Sequence, residues 1–175
     1  MHQRQVIRAA VLAILLNATT AGARVYATRV LPYQMTELPV IAIYTLQDDV
    51  ADSSRSTAPR ELTRSLSLNI EAWVAPGTNV DDAMDDIALE IENLMHADPY
   101  LGDVCVDSLL TATTTESVED VDRELGIVIL TYDVTYRTDA PEAPVGMDDF
   151  NTADTIYQVS EDANDANDSV TVQVP

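Results

Sequence analysis

The chain has 175 residues and a net charge of −21, from 30 acids against 9 bases, every one of them Arg. That balance excludes a nucleic-acid-gripping surface, which needs clustered cations to displace counterions. An apolar fraction of 46% is enough for one domain with a core, and the single cysteine, Cys105, excludes a disulfide framework and a cysteine-based metal site.

Residues 3–18 read as a helix with the stripe Ile7, Val11, Ile14 and Ala18, widened by Leu12, Leu15 and Leu16. Its basic start, the apolar run Ala9–Leu16 and Ala21-Gly22-Ala23 imitate a secretory signal. The run is short for that purpose, far shorter than the roughly 20 residues of a membrane span, and its removal would strip a helix that the sheet needs as cover. Thr20-Ala21-Gly22 is the expected stop, with Gly22 free to take a left-handed cap.

Residues 24–30 form a short strand closed by Pro32, and residues 38–45 an apolar central strand with Pro39 at its entry. Residues 46–61, with Asp48, Asp49, Asp52 and Pro59, are expected to be a long polar loop that a neighbouring subunit orders. Residues 62–74 alternate cleanly. Leu66, Leu68, Ile70, Ala72 and Val74 point inward; Ser65, Ser67, Asn69, Glu71 and Trp73 point outward.

A second helix spans Val80 to Ala97, capped by Thr78 or Asn79 and ended by Asp98-Pro99. Val80, Met84, Ile87, Ile91, Leu94 and Met95 make its buried stripe, and Asp81, Asp82, Asp85 and Asp86 crowd its first two turns. A Thr-rich strand follows at 104–115, then a turn at 118–122. Residues 123–137 (R-E-L-G-I-V-I-L-T-Y-D-V-T-Y-R) carry the strongest strand signal in the chain. Val128, Leu130, Tyr132, Val134 and Tyr136 share one face of it. Leu125, Ile127 and Ile129 begin the other, which turns polar from Thr131 onward. The predicted fold is therefore α+β, in the order α-β-β-β-α-β-β. About five mainly antiparallel strands carry two helices on one face.

After residue 138 the composition shifts. Residues 139–175 hold nine acids, no base and three prolines, and read as an acidic C-terminal extension of the domain at 1–138. Within the extension Val170, Val172 and Val174 alternate, a pattern suited to pairing with an exposed sheet edge.

No residue pattern points to catalysis, a cofactor or a metal. His2 is terminal and His96 ends a helix, there is no Gly-rich phosphate loop, and no nucleophile has a histidine base beside it in the sequence. The aspartates of the second helix suit a solvated, dipole-matched face better than a cation site. Asp162, Asn164, Asp165 and Asp168 lack the turn Gly and closing Glu of a calcium loop.

One resemblance extends this reading. The strings T-T-A-G-A-R-V-Y-A-T-R-V-L-P (19–32) and E-L-P-V-I-A-I-Y-T (37–45) resemble the opening of the tail terminator proteins of long-tailed viruses. L-S-L-N-I-E-A-W-V, D-D-I-A-L-E-I-E-N-L-M, P-Y-L and L-G-I-V-I-L-T-Y-D-V-T-Y-R follow in the same order, up to about residue 138. The resemblance implies a structural, non-enzymatic role. The chain would form a homo-hexameric ring on a finished tail tube, halting tube growth and offering a surface to the neck and connector proteins. Its place would be the virion at the head–tail junction, after synthesis in the host cytoplasm and with no membrane partner. Genome DNA would pass through without specific binding, and an acidic ring would not grip it. A lysine-free, Asp-rich chain further points to a virus of a salt-loving host, the other reading being an ordinary acidic protein of a GC-rich genome, where Arg also replaces Lys. Under this reading the subunit and partner contacts fall on Arg4, Arg8, Leu12, Leu16, Arg24, Arg29, Arg55, Val170, Val172 and Val174. The first 36 residues hold four Arg and no acid, so the chain has the two unlike patches that a head-to-tail ring needs. Another neck or head-tail joining protein, or a secreted acidic binding module, are the other readings.

Overall fold

The computed structural model describes residues 1–28, 34–51, 61–75, 79–120, 123–139, 152–156 and 169–173. Residues 1–140 and 141–175 form two separate compact units.

In the larger unit the elements are α1 (Gln3–Leu15), β1 (Val25–Ala27), β2 (Val40–Val50), β3 (Leu62–Val74), α2 (Val80–Ala97), β4 (Asp107–Asp120) and β5 (Arg123–Thr138), with one 3-10 turn at Met35–Glu37. The order is α-β-β-β-α-β-β, as the sequence predicts. The five strands form one sheet in the order β1-β2-β3-β5-β4. All its pairings are antiparallel except β1 with β2.

The core lies between this sheet and the two helices. Ile7, Val11 and Leu15 of α1 are fully buried, so α1 is an integral part of the domain. From α2, Val80, Met84, Ile87, Ala88, Ile91 and Met95 come inward at helical spacing. They meet Leu66, Leu68, Ile70, Ala72 and Val74 of β3 and Val128, Leu130, Tyr132, Val134 and Tyr136 of β5, the two inward sets expected from alternation. Fully burying one such Leu, Ile or Val side chain stabilises the fold by about 1.5–3 kcal/mol. Gly126, the one glycine of β5, sits where α2 comes closest. A Cβ there would lie 2.5 Å from Val80 Cγ1, 2.7 Å from Val74 Cγ2 and 2.9 Å from Met84 Cγ.

Several boundaries depart from the sequence prediction, each for a local reason. α1 stops at Leu15 rather than 18, because Asn17 turns left-handed (φ 59°) before Gly22 does (φ 58°). Asn79 is the N-cap residue of α2, but its side chain makes no capping bond; Asp81 and Asp82 face the helix dipole instead. β2 does not end at Thr45. It bulges between Thr45 and Asp48 and continues to Val50, so 46–50 belong to the sheet rather than to a loop. Residues 52–60 lie outside the described residues. β4 starts at Asp107 because Tyr100 O accepts from the amides of Val104 and Cys105, holding them in a turn. It ends at Asp120, and Val118, Glu119 and Asp120 pair with Leu125, Glu124 and Arg123 where a turn was expected.

In the smaller unit, β6 (Thr152–Ile156) and β7 (Ser169–Gln173) pair antiparallel, with Ala153 opposite Val172 and Thr155 opposite Val170. The valine pattern does make a strand. Its partner is another segment of the extension, one whose polar T-A-D-T-I sequence gave no strand signal.

Candidate assembly surfaces

The arginines expected at subunit contacts have acceptors within their own chain. Arg4 and Arg8 stand one turn apart on α1 and converge on β2. Arg4 Nη2 donates to the carbonyl oxygens of Thr45 (3.3 Å) and Leu46 (3.4 Å), and Arg8 Nη1 donates to Thr45 Oγ1 (3.1 Å). Arg24 ties β1 to the start of β2, its Nε donating to Pro39 O at 2.8 Å. These three arginines therefore clamp the first helix to the middle of β2, at its bulge, and the first strand to its start. Leu12 packs partly buried against the core, and Leu16 stays 38% exposed. Arg29, Arg55 and Val174 lie outside the described residues. Val170 and Val172 are placed only by the backbone of β7.

The helix side of the domain is divided by charge. The outward line of α1 runs Gln5, Ala9, Ala13, Leu16, all exposed and all uncharged. The outward face of α2 carries Asp81, Asp82, Asp85 and Asp86, also exposed, beside Leu89 at 57% exposure. The turn after α1 is tied to α2 by Glu90, whose Oε2 accepts from the amide (2.8 Å) and hydroxyl (3.1 Å) of Thr20.

No α-helix among the described residues packs on the opposite face of the sheet. Ser65, Ser67, Asn69, Glu71 and Trp73 of β3 stand on it half-buried, flanked by Tyr44 of β2 and Ile129, Thr131 and Asp133 of β5. Burial pushes the Glu71 carboxyl above the usual carboxylate range, and Glu116 adds to this, while a hydrogen bond from Trp73 opposes it. Ser65 Oγ donates to Asp133 Oδ1. A shallow open hollow of about 300 Å³ crosses this face, lined by Leu46, Gln47, Asp49, Ser65, Ser67, Thr111, Thr131, Tyr132 and Asp133.

The hollow lies where two bulges fall on one row of the sheet. Leu68 of β3 pairs with Thr45 on one side and with Tyr132 on the other, and Tyr132 pairs with Leu110. The β2 bulge begins just past Thr45, and the β4 bulge, with Thr111 as the extra residue, just past Leu110. Bulges on both flanking strands raise the local twist at this row.

The β2 bulge also turns Asp48 onto the core face, opposite Leu66. There its Oδ2 accepts from Tyr136 OH (2.8 Å) and from Arg64 Nη1 (3.1 Å), and the Asp48 side chain is only 9% exposed. Burial raises the pKa of Tyr136. The bond to Tyr136 raises that of Arg64 against the cost of its desolvation. This triad closes the core at the end of the sheet. Sequence reasoning missed it because it set Asp48 in a loop; Tyr136, an inward aromatic with a hydroxyl to satisfy, was the one available signal.

Among the described residues no group of three or more His, Cys, Asp or Glu could hold a metal ion, and no helix is long and apolar enough to cross a membrane. Neither a protein-family model nor a curated protein sequence matches the chain.

Proposed function

We propose that this chain is a structural protein of a virus tail. Copies of it form a ring that caps the finished tail tube, halts tube growth and joins the tail to the neck. The observation that carries the reading is the charge division of the helix side: an outward α1 line of Gln5, Ala9, Ala13 and Leu16 without charge, against the four exposed aspartates of α2. A chain with 30 acids that leaves one whole helix free of them keeps that helix available for a neighbour. Two unlike patches on one subunit suit a heterologous, head-to-tail contact, which forms a ring when its rotation closes. The element order and the residue strings from 19 to 137 support assigning the ring to the tail terminator role. The same acidity lets a polyanionic genome pass without being held. The protein acts by contact and not by catalysis, and needs no cofactor.

The test is to mix the purified protein with headless tail tubes in molar salt and image the products. Rings on one end of the tubes, and tubes that no longer elongate when tube subunits are added, are the expected result. Protein that binds isolated connectors but leaves tube ends bare and growing would overturn the terminator role in favour of another neck component.

A further inference from the structure

Among the described residues, one edge of the larger sheet has no partner strand. There β4 pairs only with β5, and Thr111 to Ser117 are exposed without a break. Natural sheets guard such edges with Lys, Pro, bulges or short strands. β4 runs 14 residues with neither Lys nor Pro. Its one bulge lies at Thr111, and from Ala112 to Asp120 the register with β5 is unbroken. The stretch Ser108–Thr115 reads S-L-L-T-A-T-T-T, with no charge, in a chain of net charge −21. Threonine is a strong strand former. An edge of this kind is built to take another strand.

We propose that a second copy of this chain supplies that strand. The two β4 strands pair antiparallel about a two-fold axis through Thr114, joining two five-stranded sheets into one of ten. Opposed residues in a pair share a face of the sheet, so the axis passes through a residue and not between two. Thr114 is exposed and stands among the uncharged residues Ala112 to Thr115, in the part of β4 whose register with β5 is unbroken. In that register Thr114 meets Thr114 of the second copy, Thr113 meets Thr115, and Ala112 meets Glu116. No acid opposes an acid. An axis at Glu116 would set two carboxylates against each other, which cross-strand pairing disfavours. The other edge of the sheet cannot cover this one. β1 has three residues and ends at Thr28, which is left-handed (φ 66°). The acids nearest the joint set its salt dependence. Glu92 of α2, which accepts from Thr113 Oγ1 at 3.2 Å, stands on the helix side, and Glu116 on the other. Both are repelled by their counterparts in dilute buffer. The contact is isologous, and it does not rest on the ring reading.

The experiment uses the full chain with Cys105→Ala, in molar salt. Opposed residues of an antiparallel pair have Cβ atoms about 4.5–5.5 Å apart, close enough for a disulfide after a small adjustment. Thr114→Cys is expected to give a covalent dimer under mild oxidation with glutathione disulfide, while Ser117→Cys, three residues from the axis and so far from its counterpart, pairs without forming a disulfide. Thr114→Lys in the otherwise native chain is expected to weaken the dimer at least tenfold by sedimentation, with an unchanged circular-dichroism spectrum. Equal cross-linking of the Thr114→Cys and Ser117→Cys chains, or a native chain that sediments as a monomer in molar salt, overturns the proposal. So does a disulfide between Thr114→Cys of one copy and Ala27→Cys of another in place of the Thr114 pair. If Thr114→Lys does not fold, the two cysteine variants decide the question alone.

Discussion

Tyr136 and Asp48 show how one hydroxyl can hold a buried charge. Asp48 Oδ1 is buried with no hydrogen-bond partner among the described residues, so the carboxylate depends on the two bonds to Oδ2. Tyr136→Phe removes the shorter of them. A bond to a charged group contributes about 1.5–3 kcal/mol, and that loss is the expected result of urea denaturation in molar salt. Tyr132 makes a different prediction. Burial pushes its hydroxyl up to about 12, and burial likewise raises the Cys105 thiol to about 11. In the unfolded chain both lose their protons earlier, near 10 and near 9. The folded state therefore binds more protons across this window, and stability falls as pH rises from about 9 to about 12. Tyr132→Phe with Cys105→Ala should flatten that decline. Denaturation midpoints at pH 7, 9, 10 and 11 measure it.

At the scale of elements, the contact between α2 and β5 depends on the absence of one side chain. Gly126→Ala drives a methyl into Val80, Val74 and Met84, two of them β-branched and stiff. The expected cost is about 1–3 kcal/mol, read as a lowered urea midpoint, and Val80→Ala in the same chain should restore part of it. Both helices, both inward sets of β3 and β5 and the order of the elements were legible in the sequence, because each rests on a hydrophobic period that one segment carries by itself. The two bulges were not legible, since an extra residue shows only against the strand beside it. Asp48 was misplaced for that reason: in a stretch Q-D-D-V the alternation gives no sign that Asp48, and not Asp49, turns inward. The roles of Arg4, Arg8 and Arg24 were equally hidden, because their acceptors are main-chain and hydroxyl oxygens up to 42 residues away in sequence. β6 had no signal at all, its five residues alternating no apolar face.

For the whole molecule, charge decides when copies can meet. At about 0.01 M salt the Debye length is about 30 Å, and chains of net charge −21 repel across any contact. At about 1 M it shrinks to about 3 Å, and only groups in contact still interact. Assembly is therefore expected to strengthen with salt, through uncharged surfaces such as the outer line of α1 and the β4 edge. Arg4, Arg8 and Arg24 already spend donors on their own β2, so ion pairing across subunits has fewer cations to draw on. Sedimentation from dilute buffer to several molar salt checks this. Assemblies that are largest in dilute buffer and dissolve as salt rises would show that ion pairs hold them.

The twin bulges also determine where the chain can change length. Each stores one residue beyond what its partner strand requires. Without Gln47, Thr45 still faces Leu68 and Asp48 still faces Leu66, so every side chain downstream keeps its side of the sheet. β3 has no such reserve, since it matches β5 residue for residue from Leu62↔Thr138 to Val74↔Gly126. Removing Asn69 would turn half of it inside out. Deletion of Gln47 should leave a chain that folds, and deletion of Asn69 one that does not. In related sequences, gaps of one residue would then collect at 46–47 and at 111 and spare the middle of the sheet.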